Sequence, residues 1–322
     1  MAIIRFASII VTYRCNSRCQ MCYSWKFPSE PEKEIGAEVY RKLPPMQVVN
    51  VTGGEPFMRE NLEEIVKILK GKTKRLVISS NGYFTDRIVE LFQKNKNIGI
   101  RISIEGFKET NDELRGIAEG FDHGIKTLNS LYNELGIRDL GFGMTICDKN
   151  AKDILKLYNL SKSLSFEFAT AAVHNSFYFH KYENKFEDFQ MITNELKELI
   201  VQLLKSRNPK DWFRAYFNYG LMNYVLGKPR IIPCEMGFDS FFLDPYGEIY
   251  PCNVMQESMG NLKNQSFEEI WSSPRAKEVR KMVKRCNKNC WMVGSVGQQM
   301  GKYPWKPIIW IAKHKLLGFR IQ

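Results

Sequence analysis

No apolar run in this 322-residue chain is long enough to cross a bilayer; the longest, such as Phe6–Val11, stop far short of the roughly 20 residues a spanning helix needs. The opening Met1-Ala2-Ile3-Ile4-Arg5-Phe6 lacks the basic start, long apolar stretch and small-residue cleavage site of an export signal. A cytoplasmic location is therefore expected. Repeats and low-complexity segments are missing too, which excludes solenoids and repeat arrays. Acids are almost absent from one end: from Arg275 onward there are twelve Lys or Arg and one acid, Glu278. The formal net charge of +12 is concentrated in that tail, and the rest of the chain is nearly neutral. A basic tail can be a plain solvated face, or it can meet an anionic membrane surface or nucleic acid. Nucleic acid is disfavoured, because the basic residues sit in the tail and not across the body.

Hydrophobic residues make up 44% of the chain and charged residues 25%. That is enough for a large core, as one extended domain or one domain plus a smaller one. Up to about Ala172, strand-like and helix-like stretches alternate. Strands are expected at Ile3–Thr12, Gln47–Thr52, Arg75–Ser79, Ile98–Ile104, Leu140–Cys147 and Phe166–Val173. Helices are expected at Gly36–Leu43, Leu62–Lys70, Asp86–Lys94, Asp122–Leu135 and Ala151–Ser163. Asn61 is placed to cap the second of these and Gly71 to stop it. Strands separated by helices or crossovers predict an α/β fold: a parallel sheet curled as a partial (β/α)6 TIM-like barrel. Functional groups should collect at the C-terminal strand ends. The expected borders are a barrel core at 1–175, a helical connecting segment at 176–230, a small α+β cysteine-bearing unit at 231–291 and a basic aromatic tail at 292–322.

Eight cysteines are present, and they are clustered. Without an export signal this favours metal binding over disulfides, because the cytosol keeps thiols reduced. Cys15-Asn-Ser-Arg-Cys19-Gln-Met-Cys22 follows the first strand. Three thiolates in one loop can each hold one iron of a cubane cluster and leave the fourth iron open to a small chelating ligand. Zinc is the competing occupant, but structural zinc takes four protein ligands, and this loop offers three with no histidine nearby. Gly53-Gly54-Glu55-Pro56 follows the second strand, at the same rim.

These features, in this order, resemble the radical S-adenosylmethionine (radical SAM) superfamily over residues 1–175. The resemblance implies that Cys15, Cys19 and Cys22 hold a 4Fe–4S cluster. It also implies that S-adenosylmethionine binds the open iron. Gly53, Gly54, Glu55 and Pro56 match the methionine-binding segment, in which backbone carbonyls accept from the ammonium and the glycines permit close approach. Ser103-Ile104-Glu105-Gly106 resembles the ribose-contacting turn, with Ser80 and Asn81 as further ribose partners. Arg115, twelve residues past Ser103, matches the arginine that forks the methionine carboxylate. Met21 stands where the family commonly has an aromatic residue beside the adenine, and a methionine can pack there too. The implied chemistry is reductive cleavage to a 5′-deoxyadenosyl radical that abstracts hydrogen from the substrate, fed by an electron donor such as flavodoxin or ferredoxin.

The late cysteines Cys234, Cys252, Cys286 and Cys290, with Gly247 between the first two, resemble the auxiliary-cluster domains called SPASM and twitch. A full SPASM domain needs more cysteines than these four; four suit one fully ligated auxiliary 4Fe–4S cluster, for electron transfer or pocket shaping. A four-thiolate zinc site has the same spacing. Asp244-Pro245-Tyr246-Gly247 reads as a hairpin turn between Cys234 and Cys252.

Two residues are candidates for action on substrate. Cys147 ends the fifth strand, where a thiol can return a hydrogen atom to a radical; packing is the plainer role. His174 follows the sixth strand and can serve as a base in an oxidation. The tail from Tyr303 to Arg320 is apolar nearly all round when drawn as a helix, so it either packs on the body or enters a membrane interface. The leading functional expectation is an oxidoreductase acting on a small molecule, such as a sugar or lipid-linked compound. The alternatives are modification of a ribosomally made peptide, and a non-catalytic iron–sulfur or zinc protein. The first strand begins at residue 3, which leaves no room ahead of it for a peptide-recognition domain and weighs against the peptide alternative.

Overall fold

In the computed structural model, the β-branched stretches form strands buried in the centre and the amphipathic stretches pack outside them. The structure describes residues Ile4–Leu317; the expected strand start at Ile3 and residues 318–322 of the tail lie outside the described residues. Strands β1 (Ile4–Ile10), β2 (Met46–Thr52), β3 (Thr73–Ser80), β4 (Gly99–Ser103), β5 (Leu140–Ile146) and β6 (Glu167–Ala172) lie side by side in chain order, all parallel. Helices α1 (Leu62–Lys70), α2 (Thr85–Lys94), α3 (Lys108–Arg115), α4 (Gly120–Asn133) and α5 (Ile154–Ser163) make the crossovers. This is the expected partial barrel. Ile9, Val49, Ile78, Ile100, Phe142 and Ile146 are fully buried in it.

Three local expectations change. The stretch around Gly36–Leu43 is a 3-10 helix at Ala37–Lys42 and not an α-helix. Asn61 precedes α1 without capping it; its Oδ1 accepts from Arg59 Nε at 2.7 Å, because Arg59 is drawn to the buried Glu34 carboxylate and the Ile35 carbonyl. Gly71 follows α1 in a right-handed conformation, with φ at −68°, so no left-handed cap stops that helix.

After β6 the chain forms α6 (Phe189–Lys205) and α7 (Pro209–Val225), packed on each other and on the barrel. It then returns to the same sheet. β7 (Ser240–Leu243) pairs in parallel with β1, aligning Ser240 with Phe6 and Leu243 with Ile9. β8 (Glu248–Tyr250) and β9 (Gly260–Asn261) add antiparallel, giving a nine-stranded sheet in the order β6-β5-β4-β3-β2-β1-β7-β8-β9. The turn at 244–247 forms as expected. Asp244 Oδ1 accepts from Tyr246 N at 2.9 Å and Glu248 N at 2.8 Å, and Gly247 takes φ +92°. The sheet runs without a break across residue 231, so the cysteine-bearing unit is welded to the barrel edge.

Helices α8 (Phe267–Ser272), α9 (Pro274–Arg285), α10 (Val293–Lys302) and α11 (Trp305–Leu317) finish the described chain. Phe241 of β7 is fully buried, with ring centroids 5.1 Å from Phe267 and 6.1 Å from Trp271. The inner face of α11 packs on the body: Trp310 stacks on Tyr219 at 5.1 Å and meets Tyr216 edge-on at 5.5 Å. Trp305, Ile308, Ile309 and Leu316 remain exposed on its outer side. Among the described residues no helix is long and apolar enough to cross a membrane.

Phe241 joins β7 to α8, so Phe241→Ala should lower unfolding stability by about 3–5 kcal/mol. The exposed Ile308→Ala should stay within about 0.5 kcal/mol of the parent. Urea unfolding followed by circular dichroism checks both.

Candidate active site

The loop after β1 carries Cys15, Cys19 and Cys22, all partly buried and all lining one cavity of about 270 Å³ at the C-terminal end of the barrel. Two backbone clamps shape that loop. On one side, Gly54 N donates to Thr12 O and Glu55 N to Arg14 O, each at 2.8 Å. A Cβ at Gly54 would collide with the Arg14 carbonyl. On the other side, Arg18 N donates to Arg115 O at 2.9 Å and Gln20 N to Leu114 O at 2.8 Å. There the end of α3 comes so close that Gly116, at φ +55°, would put a Cβ 2.6 Å from Arg18 O. Glycine is required at both contacts.

Met21, Gly53, Gly54, Ser80, Asn81, Ser103, Glu105 and Arg115 line the same cavity. Glu55 and Pro56 do not. The Glu55 carboxylate is fully buried and accepts from Ser80 Oγ at 2.9 Å, Asn81 N at 2.7 Å and Phe57 N at 3.1 Å. It ties the ends of β2 and β3 together, and this also occupies the Ser80 hydroxyl expected at a ribose. Asn81 Nδ2 donates to Ser17 Oγ at 3.0 Å and Asn16 Oδ1 at 2.7 Å, bracing the cysteine loop.

Arg115 is the central charge. Its Nη1 donates to Glu105 Oε1 at 2.8 Å, while its buried Nε has no hydrogen-bond partner. Glu105 also accepts from Thr145 N at 2.6 Å. Burial pushes the Glu105 carboxyl up, and the guanidinium works against that shift. Burial likewise raises the three thiols, Cys15 to about 12, and Arg115 lowers each of them. A cation beside three desolvated thiols favours the thiolate form that iron ligation requires.

The four late cysteines also share a cavity, of about 510 Å³, with Phe6, Ser8 and Asn50 of the barrel interior. Cys234 precedes β7, Cys252 follows β8, Cys286 ends α9, and Cys290 lies in the loop before α10. Trp291 pins that loop: it is buried and its Nε1 donates to Phe217 O at 2.7 Å. The thiols sense one another. Burial pushes Cys252 up to about 12, and Cys234 and Cys290 add to that. Among the described residues no group of three or more His, Cys, Asp or Glu converges as on a single metal ion. Each cysteine set lines a single cavity, and thiolates are the ligands that iron–sulfur clusters take.

His174 lines both cavities. Asn253 Nδ2 donates to its Nε2 at 3.1 Å, which leaves the ring proton on Nδ1, 3.4 Å from Ala172 O. The nitrogen expected to act as a base is thus engaged by an amide next to Cys252. Burial pushes the His174 pKa down to about 4. Cys147 lines neither cavity; its backbone N–H donates to Asn150 Oδ1 at 2.8 Å. Sequence reasoning missed Trp25 and Tyr178. Trp25 lines the first cavity with an unpartnered buried Nε1. The Tyr178 hydroxyl donates to Gly53 O, a carbonyl expected to face the methionine ammonium. Neither lies in a motif; only the return of the chain after β6 brings Tyr178 here.

The Radical SAM superfamily model matches residues 9–160, and the model of the SPASM iron–sulfur cluster-binding domain matches residues 234–291. Fe-coproporphyrin III synthase of Methanosarcina barkeri is 35% identical over 159 residues, 47% of this chain and 39% of that protein. Two Bacillus subtilis proteins align more widely. The sporulation killing factor maturation protein SkfB is 25% identical over 86% of this chain and 67% of its own length. The antilisterial bacteriocin subtilosin biosynthesis protein AlbA is 26% identical over 83% of this chain and 59% of its own. This chain therefore spans 39% to 67% of the length of these relatives. Native anSMEcpe with bound AdoMet and Cp18Cys peptide has the same fold, at 18% identity and a TM-score of 0.63, over 89% of this chain and 85% of that one. Streptococcus suis SuiB bound to precursor peptide SuiA does so at 15% identity and a TM-score of 0.63, over 90% and 72%.

Two measurements follow from the geometry. Glu105→Ala strands a buried guanidinium and should cost about 3–5 kcal/mol in urea unfolding, because breaking a buried pair leaves an uncompensated charge. For His174, the folded pKa lies below the ordinary 6.5, so the folded state disfavours the protonated ring. Its stabilising share is whole above pH 6.5 and is lost as pH falls through about 4. Unfolding titrations at stepped pH should show that loss, on the order of 2 kcal/mol, and His174→Gln should flatten it. With family-model matches over both cysteine-bearing regions, this chain carries a radical SAM superfamily domain and a C-terminal SPASM iron–sulfur cluster-binding domain.

Proposed function

We propose that this enzyme modifies a peptide. Cys15, Cys19 and Cys22 hold the 4Fe–4S cluster that binds S-adenosylmethionine, and Cys234, Cys252, Cys286 and Cys290 hold one fully ligated auxiliary cluster. When bound beside Cys15, Cys19 and Cys22, the first cluster and S-adenosylmethionine would supply radical hydrogen abstraction, and a cluster on the four late cysteines would supply an electron acceptor. Arg115, with a free buried Nε, takes the methionine carboxylate while Glu105 holds its fork in place. Met21 and Trp25 flank the cavity as packing partners for the adenine. The Tyr178 hydroxyl on Gly53 O keeps that backbone turned to the cavity. A flavodoxin or ferredoxin supplies the reducing electron.

The observation that carries the peptide reading is coverage. SkfB and AlbA, named for a killing factor and a bacteriocin, align over 86% and 83% of the chain, slightly ahead of pre-heme d1 synthase of Dinoroseobacter shibae at 82%. The sugar or lipid-linked substrate expected from the sequence has no such support. A second reading, a tetrapyrrole, is favoured by the 35% identity to Fe-coproporphyrin III synthase. A barrel cavity of about 420 Å³ is lined by Arg75, Arg101, Lys210 and Arg214, whose four positive charges are shared between two carboxylates, Asp139 and Glu167, an excess that would suit propionate groups.

The test uses the full chain, reconstituted with iron and sulfide without oxygen. It is incubated with S-adenosylmethionine, dithionite and a cell extract split into peptide and small-molecule pools. A mass change that depends on S-adenosylmethionine is expected in the peptide pool; a change confined to the small-molecule pool overturns the peptide reading. Cys19→Ala should reduce 5′-deoxyadenosine to background. Cys252→Ala should lose the iron of one cluster and keep 5′-deoxyadenosine formation.

A further inference from the structure

Arg230 sits between α7 and Cys234, in no recognisable motif. Its side chain lines the late-cysteine cavity together with Cys234, Cys252, Cys286 and Cys290. Two of its nitrogens are committed: Nε donates to Ile232 O at 2.9 Å, and Nη1 donates to Cys290 O. The guanidinium also lies over the Trp291 ring, 5.7 Å from its centroid. These contacts fix the plane of the group. The remaining nitrogen, Nη2, is buried and has no hydrogen-bond partner.

A buried donor without a partner is costly, and more so when charged, so such groups are rare unless an acceptor belongs there. Oxygen acceptors line this cavity too, Glu257 and Gln256 among them, but four of the lining residues that meet Arg230 there are thiols. Burial disfavours the Arg230 charge, and all four thiols act to keep it. Arg280 is a built-in contrast. It too has an unpartnered buried Nη2, but its Nε donates to Gly237 O at 2.6 Å, its plane covers Trp271, and it does not line the cavity. No thiol acts on it.

We propose that Arg230 donates a charge-assisted hydrogen bond from Nη2 to sulfur of the auxiliary cluster and raises the reduction potential of that cluster. This rests on the reading that the four late cysteines ligate it. Reduction adds one electron, taken from the external reductant, to a site that is already anionic. A fixed cation in a desolvated pocket stabilises the more negative state. Hydrogen bonds to cluster sulfur act in the same direction. No proton moves, because a guanidinium stays protonated throughout. Among the residues lining the cavity, Lys288 and Glu257 are the other fully charged side chains, one of each sign, so Arg230 sets the balance.

The test isolates the auxiliary cluster in the full chain by substituting Cys15, Cys19 and Cys22 with Ala, then follows its EPR signal in a dithionite titration. In that background Arg230→Met should reduce the ratio of reduced to oxidised cluster at fixed potential at least tenfold, a downward shift of about 59 mV or more for one electron. Arg280→Met should leave the potential in place. Arg230→Lys keeps a charge but loses the fork, and should fall between parent and Arg230→Met. Equal potentials in the parent and a loaded Arg230→Met, or a matching shift in Arg280→Met, overturn the proposal. If Arg230→Met takes up no iron, Arg230→Lys decides: a lowered potential supports the proposal and an unmoved one overturns it. If the parent with its three substitutions binds no iron and sulfide, the four-cysteine assignment itself fails and takes the proposal with it.

Discussion

The buried pair of Glu105 and Arg115 is the constraint on which the first site rests. Arg115 ends α3, and its backbone carbonyl holds Arg18 N of the cysteine loop. Its side chain is aimed into the cavity by Glu105, which follows β4 and is itself fixed by Thr145 of β5. One ion pair thus couples the cysteine loop and two strand ends to one orientation of a cation. Two desolvated charges are costly unless well matched, and the match here engages Nη1 while the buried Nε has no hydrogen-bond partner.

The second site depends on a different constraint, the pairing of β7 with β1. That pairing places Cys234 and Cys252 on either side of a hairpin welded to the barrel edge, so their cavity opens on Phe6, Ser8 and Asn50 of the barrel's own strands. His174, at the end of β6, closes the gap between the two cavities through Asn253. The two cysteine sets therefore face one interior. Their order in the chain does not convey this, since more than two hundred residues separate Cys22 from Cys234.

Much of the barrel was legible because its signals are local. β-branched runs of strand length, amphipathic stretches between them and a parallel alternation admit few topologies. The cysteine spacing and the two glycines after β2 were legible for the same reason: each is a short motif at a strand end; Arg115, at the end of α3, was reached only through the family resemblance. Glu55, a carboxylate in a motif, reads in sequence as a ligand contact; its three internal donors, visible only in the fold, also make it a clamp. Asn61 was misjudged because Arg59 competes for its oxygen.

Residue type and spacing displayed the clustered cysteines: three in one loop and four more downstream. Those are properties of neighbours along the chain, which sequence displays directly. Tertiary structure decided which charges are free and which are spent. Glu55 is consumed by backbone donors, Tyr178 takes up the Gly53 carbonyl, His174 gives its lone pair to Asn253, and Arg230 keeps one nitrogen open among four thiols. Each outcome depends on a hydrogen bond between residues far apart in the chain, and such a bond exists only once burial has removed the water that would otherwise compete for it.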